Sequence, residues 1–158
     1  MCIRDSNGTV RLDLLGGWTL WVSLDEHSGK VATRPKVGTI TNIQHPGIWL
    51  GTNFHTGETL IMHNHYKIGA PYISSFHEYS QNQVVSWRND TCINHPNTVI
   101  QVGLNRIISG EPYNLVNNNC QVFTNIACHN RRNSEDVTRW AKNILGVVVV
   151  VALIKAAA

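Results

Sequence analysis

The first half of the chain contains strand-like segments separated by polar turns, and this alternation limits the fold more than any other feature. Gly38–Ile43, Gly47–Leu50 and Thr59–His63 are rich in β-branched, aromatic and aliphatic residues. Between the last two, Thr52–Gly57 is polar and ends in glycine, which is typical of a turn. The segment therefore predicts a small antiparallel meander.

The flanking segments extend this prediction. Residues 9–24 contain two apolar runs around Gly16-Gly17 and predict a hairpin. We further expect a polar loop over residues 25–36, a loop from Pro71, a short helical turn over Ser75–Tyr79 and a strand over Gln83–Trp87.

The pattern changes to a helical period after residue 96. Apolar residues recur at roughly 3.6-residue spacing between Asn97, a favourable N-cap, and Gly110, a natural stop. A second helix is predicted to begin near Cys120, and Ser134 is expected to cap a third. The chain thus predicts an α+β fold, with an antiparallel sheet followed by helices.

Composition and the two ends of the chain set further limits. The chain has 158 residues and a formal charge of +3, and Arg131-Arg132 is its only basic doublet, so we expect no nucleic-acid partner. Residues 1–6, MCIRDS, resemble the translated end of a sequencing adapter found in assembled environmental DNA, and we set them apart. Residues 144–154, ILGVVVVVALI, predict either a packed terminal element or a membrane-associating tail.

Cys120 is the candidate nucleophile among four cysteines, none of which forms a C-x-x-C pair. A helix that starts at Cys120 would favour a thiolate through its dipole, and its backbone N–H groups could hold an oxyanion. A buried inert thiol is the alternative. A disulfide is another, and Cys92–Cys120 is the pair that we would expect first.

Two of the eight histidines end neighbouring predicted strands. The turn between these strands could place His45 and His63 side by side, so that one imidazole acts as a base and the other orients it. His65 shares the predicted face of His63, so a metal pair is the alternative for these two. The remaining histidines fall in polar contexts that indicate solvated side chains.

Three sequence blocks in this order, HPGIWLG, LIMH and GEPYNLVNNNCQVF, resemble those of the lecithin:retinol acyltransferase-like family. The resemblance covers about residues 35–132 and implies a circularly permuted NlpC/P60 papain-like fold. It implies Cys120 as nucleophile, His45 as general base and His63 as the third triad member. Tyr113 would support the oxyanion or simply pack. Gln121 departs from the pattern, because many relatives have Glu-His-Phe after the cysteine where this chain has Gln-Val-Phe.

The resemblance implies a thiol acyltransferase or phospholipase A-type enzyme that uses a phospholipid or other acyl donor and needs neither cofactor nor metal. The alternatives are a cysteine peptidase or amidase acting on cell-wall peptides and a non-catalytic membrane-associated module. We expect a β extension over residues 7–34, the catalytic domain over 35–132, and a C-terminal helix with an apolar tail over 133–158. The expected location is cytoplasmic or membrane-associated.

Overall fold

The computed structural model describes residues 2–4, 9–13, 17, 19–36, 43–88, 91–134 and 137–138. It confirms a mixed α+β fold with an antiparallel sheet. The strands are β1 (Cys2–Arg4), β2 (Thr9–Asp13), β3 (Thr19–Ser23), β4 (Val31–Pro35), β5 (Gln44–Asn53), β6 (Thr59–His65), β7 (Ala70–Ser75) and β8 (Ser86–Trp87). The helices are α1 (Phe76–Ser80), α2 (Pro96–Ser109) and α3 (Cys120–His129).

The ten-residue strand β5 organises the sheet. Its first half pairs with β4 and its last two residues pair with β3, while β6 pairs along it and β7 pairs with β6. The predicted hairpin is confirmed, because β2 pairs antiparallel with β3. The sheet is therefore continuous across the domain boundary predicted between residues 34 and 35.

A bulge interrupts the pairing of β5 with β6. The register shifts between Trp49 and Gly51, and Gly51 has a φ of +135°. A Cβ on Gly51 would collide with the Ser23 backbone oxygen of β3. Glycine is required here because the conformation suits no other residue and the neighbouring backbone is too close.

The hydrophobic core lies between the sheet and the two longer helices. Ile48 and Met62 of the sheet belong to one buried cluster with Leu104 of α2 and Phe123 of α3. Helix α3 packs on β5, β6 and α2. This packing holds the start of α3 against the strands that carry the two candidate histidines.

The predicted loop over residues 25–36 is wrong in its second half, which forms β4. Val31 and Ala32 are buried, and the strand pairs with β5 from Val31↔Ile48 to Pro35↔Gln44. Tertiary pairing has overridden the loop signal of Arg34-Pro35.

The loop predicted from Pro71 is also wrong, because Pro71 lies inside β7. Among the described strands it pairs only with β6, which makes it an edge strand there, where the missing N–H of proline can face away from the ladder. The short helix near residue 76 is confirmed as α1. Helix α2 begins earlier than predicted, with His95 as N-cap and Pro96 at its first position, a placement that proline favours.

Two terminal predictions fall partly or wholly outside the described residues. The Ser134 hydroxyl accepts from the Val137 N–H at 3.4 Å, as a cap does, but residues 139–158, including the apolar run, are not described. Cys2–Arg4, within the expected adapter segment, form the edge strand β1. Among the helices described, none combines the length and apolarity needed to cross a bilayer.

Candidate active site

The structure brings His45 of β5 and His63 of β6 into direct contact. His45 Nε2 lies 2.9 Å from His63 Nδ1, and the two residues are 4% and 1% exposed. The second ring nitrogen of His63, Nε2, lies 2.9 Å from the hydroxyl of Ser74 on β7. Three neighbouring strands thus contribute one residue each to a buried hydrogen-bond chain.

The hydrogen bonds from His45 through His63 to Ser74 can run in two directions, and in only one of them can His45 act as a base. If His45 Nε2 donates to His63 Nδ1, then His63 Nε2 must donate to the Ser74 oxygen, and His45 Nδ1 keeps its lone pair. In the opposite direction His45 Nδ1 would carry the proton and could not accept another. A base role for His45 therefore requires Ser74 to accept.

Burial keeps both imidazoles neutral. Desolvation, reinforced by His63 and Arg34, lowers the pKa of His45 to about 2. Desolvation, with His65 and Arg34, lowers the pKa of His63 to about 3. His45 would thus take a proton only when a negative charge develops beside it.

Cys120 is the first residue of α3, as predicted. The Asn119 side-chain oxygen accepts from the N–H groups of Gln121 and Val122, both at 2.9 Å, and so caps the helix. Cys120 is 7% exposed. Its thiol therefore sits at the positive end of the helix dipole with limited solvent access.

The alternative of a Cys92–Cys120 disulfide is wrong, because Cys92 pairs with Cys128. The backbone N–H groups of Ile93 and Asn94 donate to the Cys128 carbonyl, which aligns this segment with the end of α3. Cys120 lies eight residues away at the other end of the helix, about 12 Å along its axis. It takes no part in a disulfide.

Asn118 fixes the backbone that precedes Cys120 through hydrogen bonds to several segments. Its side-chain oxygen accepts from Arg106 at 2.7 Å and from Asn64 at 3.0 Å, and its amide donates to the carbonyls of Glu111 and Pro112. Asn118 is 2% exposed. Asn118 thus connects α2 and β6 to the segment that leads into the first turn of α3.

Tyr113 and Gln121 both lie near the cysteine. The Tyr113 ring lines two cavities that Cys120 also lines, and burial, with the charge of Cys120, raises the pKa of Tyr113 to about 12. Its hydroxyl therefore stays protonated and can donate. Gln121 accepts from the Ser134 hydroxyl at 2.7 Å and lines only one of the cavities.

Two cavities of different chemistry meet at Cys120. The apolar cavity, of about 210 Å³, is bordered mainly by apolar side chains, which include Ile43, Leu115, Val116 and Val137, and also by Lys36. The polar cavity, of about 100 Å³, is bordered by residues that include Arg34, His45 and Lys67. Cys120 faces both, so a bound molecule could place an apolar part and a polar part on opposite sides of the thiol.

Several residues of this site were not identified from the sequence. Arg34 is 2% exposed and pairs in register with His45, and the Tyr79 hydroxyl donates to the backbone oxygens of Ala32 and His45 at 2.9 and 2.6 Å. Ser74 falls in the loop that the sequence predicts from Pro71. Arg34 and Ser74 become visible as partners only when β4 and β7 are recognised as strands that flank β5 and β6.

No known protein family, curated protein or solved structure matches this chain.

The alternative for His63 and His65 is a metal pair, and their ring centroids are 5.9 Å apart. Within the described part of the chain, no group of three or more His, Cys, Asp or Glu side chains is arranged to hold a metal ion.

Proposed function

We propose that this protein is a cysteine-dependent acyltransferase or phospholipase A-type enzyme that forms a thioester with the acyl group of a lipid ester. The observation that carries the proposal is the position of Cys120, between an apolar cavity and a polar cavity that also contains His45. The lecithin:retinol acyltransferase-like sequence blocks support the same chemistry.

The reaction begins with transfer of the Cys120 thiol proton to His45 Nδ1. The thiolate attacks the ester carbonyl, and the oxyanion is held by backbone N–H groups at the start of α3, assisted by the Tyr113 hydroxyl. The C–O bond breaks, the leaving alkoxide takes the proton from His45, and the acyl group stays on sulfur. Water or an acceptor alcohol or amine, deprotonated by His45, then attacks the thioester and releases Cys120.

His63 and Ser74 orient His45 during both steps. The bond from His45 Nε2 to His63 Nδ1 leaves Nδ1 as the accepting atom, and it stabilises the imidazolium that forms transiently. Gln121 would act indirectly, through its contact with Ser134 beside the apolar cavity.

The same catalytic residues could also hydrolyse a peptide or amide bond, as NlpC/P60-type enzymes do. The apolar border of the larger cavity favours an acyl chain over a peptide, because an apolar cavity gains most from burying hydrocarbon. A non-catalytic membrane-associated module is a further outcome that the experiment below distinguishes.

The test is intact-protein mass spectrometry after incubation with phosphatidylcholine vesicles. We expect a mass increase equal to one acyl chain, located on the Cys120 peptide, and no increase in Cys120→Ala or His45→Gln. His55→Gln is the matched control, because this exposed histidine lies outside both cavities.

Cleavage of a cell-wall peptide without acylation by phospholipid would establish the peptidase alternative instead. If neither substrate reacts while Cys120 remains reduced and the protein folded, the non-catalytic alternative holds.

A further inference from the structure

The hydrogen-bond chain that begins at His45 continues past Ser74 to the surface of the protein. Ser74 and Tyr72 are two residues apart on β7, so their side chains lie on the same face of the sheet. The Ser74 hydroxyl forms a side-chain hydrogen bond with Tyr72, and the Tyr72 hydroxyl donates to Glu78 Oε1 at 2.9 Å. Glu78 is an exposed residue of α1. The chain of hydrogen bonds thus connects a buried imidazole to an exposed carboxylate.

Tyr72 packs on the same histidine that Ser74 contacts. It pairs in register with His63, and the two ring centroids lie 4.5 Å apart. Burial, together with the hydrogen bond to Glu78, raises the pKa of Tyr72, so its hydroxyl stays protonated. The hydrogen bond with Ser74 acts in the opposite sense and lowers the pKa of Tyr72, which is the effect of a donor on a phenolate oxygen. Ser74 therefore donates to Tyr72 while Tyr72 donates to Glu78.

The number of protons on each group gives the chain of hydrogen bonds one direction. An ionised carboxylate only accepts, so Tyr72 uses its single hydroxyl proton on Glu78 and its oxygen accepts. Ser74 also has a single proton, so when it donates to Tyr72 it must accept from His63 Nε2. A neutral imidazole has one N–H, so His63 Nδ1 then accepts from His45 Nε2. His45 Nδ1 keeps its lone pair, as a base requires.

We propose that Tyr72 and Glu78 are positioning residues that hold His45 in the tautomer with an unprotonated Nδ1. The carboxylate favours this direction because a charge-assisted hydrogen bond is about twice as strong as a neutral one, and successive hydrogen bonds polarise one another. Glu78 acts on His45 through Tyr72, Ser74 and His63 in turn. The inference rests on the proposed function only in taking His45 as the base, because the tautomers can be measured without a substrate.

Nuclear magnetic resonance measures the tautomers directly, since protonated and unprotonated imidazole nitrogens have well-separated nitrogen-15 chemical shifts. Both rings are neutral near pH 7, because burial lowers the pKa of His45 to about 2 and the pKa of His63 to about 3. In protein labelled with nitrogen-15 histidine, we expect both rings to carry their proton on Nε2. The variants His45→Gln and His63→Gln assign the signals.

Tyr72→Phe keeps the ring that packs on His63 and removes the oxygen that accepts from Ser74. The Ser74 proton can then turn to His63 Nε2, so the ratio of the Nε2-protonated to the Nδ1-protonated form should fall roughly tenfold or more in both rings. Glu78→Ala should lower the ratio as well, and Glu78→Gln, which keeps an acceptor oxygen, should lie between Glu78→Ala and wild type. Glu58→Ala is the matched control, because this exposed glutamate precedes β6 and is no part of the hydrogen-bond chain. Circular dichroism establishes that each variant is folded.

Protonation of both rings at Nδ1 in the wild type overturns the proposal, and so do unchanged tautomers in both Tyr72→Phe and Glu78→Ala. An equal change in Glu58→Ala would be a general effect of lost surface charge and would overturn it too. A merely structural role for Tyr72 would lower stability without moving the proton from one ring nitrogen to the other.

The alkylation rate of Cys120 separates this inference from the proposed function. With His45 as the base, the rate with iodoacetamide near pH 7 should fall roughly tenfold in Tyr72→Phe, together with the tautomer change. If the tautomers change and the rate does not, the positioning role stands and His45 is not the base. If the tautomers do not respond while phosphatidylcholine acylates Cys120 in the wild type, the positioning role is wrong and the acyltransferase proposal stands.

Discussion

The two buried imidazoles make a strong prediction about acid stability. The pKa values of His45 and His63 are lowered by burial to about 2 and about 3, whereas an unfolded chain has a histidine pKa near 6.5. Below pH 6.5 these two histidines therefore bind protons in the unfolded state but not in the folded state. By linkage, this contribution to stability is complete above pH 6.5 and is lost progressively as the pH falls towards 3.

The size of the effect follows from the same values. Between pH 7 and pH 5, each histidine that stays neutral in the folded state lowers the free energy of unfolding by about 2 kcal/mol, hence about 4 kcal/mol for the pair. This is a large share of the roughly 5–15 kcal/mol that stabilises a typical domain.

Urea unfolding at the two pH values, with the disulfide intact, measures this change. In His63→Gln, and likewise in His45→Gln, the loss of stability between pH 7 and pH 5 should be about 2 kcal/mol smaller than in wild type. His55→Gln, the exposed control, should reproduce the wild-type loss. If the loss of stability between pH 7 and pH 5 in both variants differs from the wild-type loss by less than about 0.5 kcal/mol, the imidazoles are not held neutral and the burial argument fails.

Three further predictions concern the framework of the site. Tyr79→Phe removes the hydroxyl that donates to the His45 backbone oxygen at 2.6 Å, so the free energy of unfolding in urea should fall by about 1–3 kcal/mol. Gly47→Ala places a Cβ 2.9 Å from Tyr79 Cε2 and should destabilise the protein by about 1–3 kcal/mol, which would lower the midpoint of thermal unfolding. An unchanged midpoint would contradict the close packing. Reducing the Cys92–Cys128 disulfide, which spans a sequence separation of 36, should cost about 4 kcal/mol, measured by urea unfolding with and without dithiothreitol.

The parts of the site that the sequence predicts are those with a local signal. Asn119 and Cys120 form a cap and a helix start that short-range rules identify, and the strand-turn-strand pattern correctly places His45 beside His63. Each of these features depends on residues close together in the chain or on a single turn. Their chemical roles remain proposals.

The parts that the sequence did not reveal depend on contacts between distant segments. Arg34 stands before a proline in a segment that the sequence predicts as a loop, and only the pairing of β4 with β5 shows that it lies beside His45. Ser74 follows a proline that normally ends a strand but is tolerated at a sheet edge. The Cys92–Cys128 pair could not be derived either, because four cysteines allow several pairings and spacing does not choose between them.

The candidate base depends on the register of three strands at once. His63 must face both His45 and Ser74, and a slip of one residue between β6 and either neighbour would turn its ring to the other side of the sheet. The bulge at Gly51 lies in the same pairing of β5 with β6 that sets this register. If His45 is the base, its accepting atom is Nδ1 only when Ser74 on β7 accepts from His63. Replacing Ser74 would therefore be expected to affect His45 through His63, the residue that contacts both.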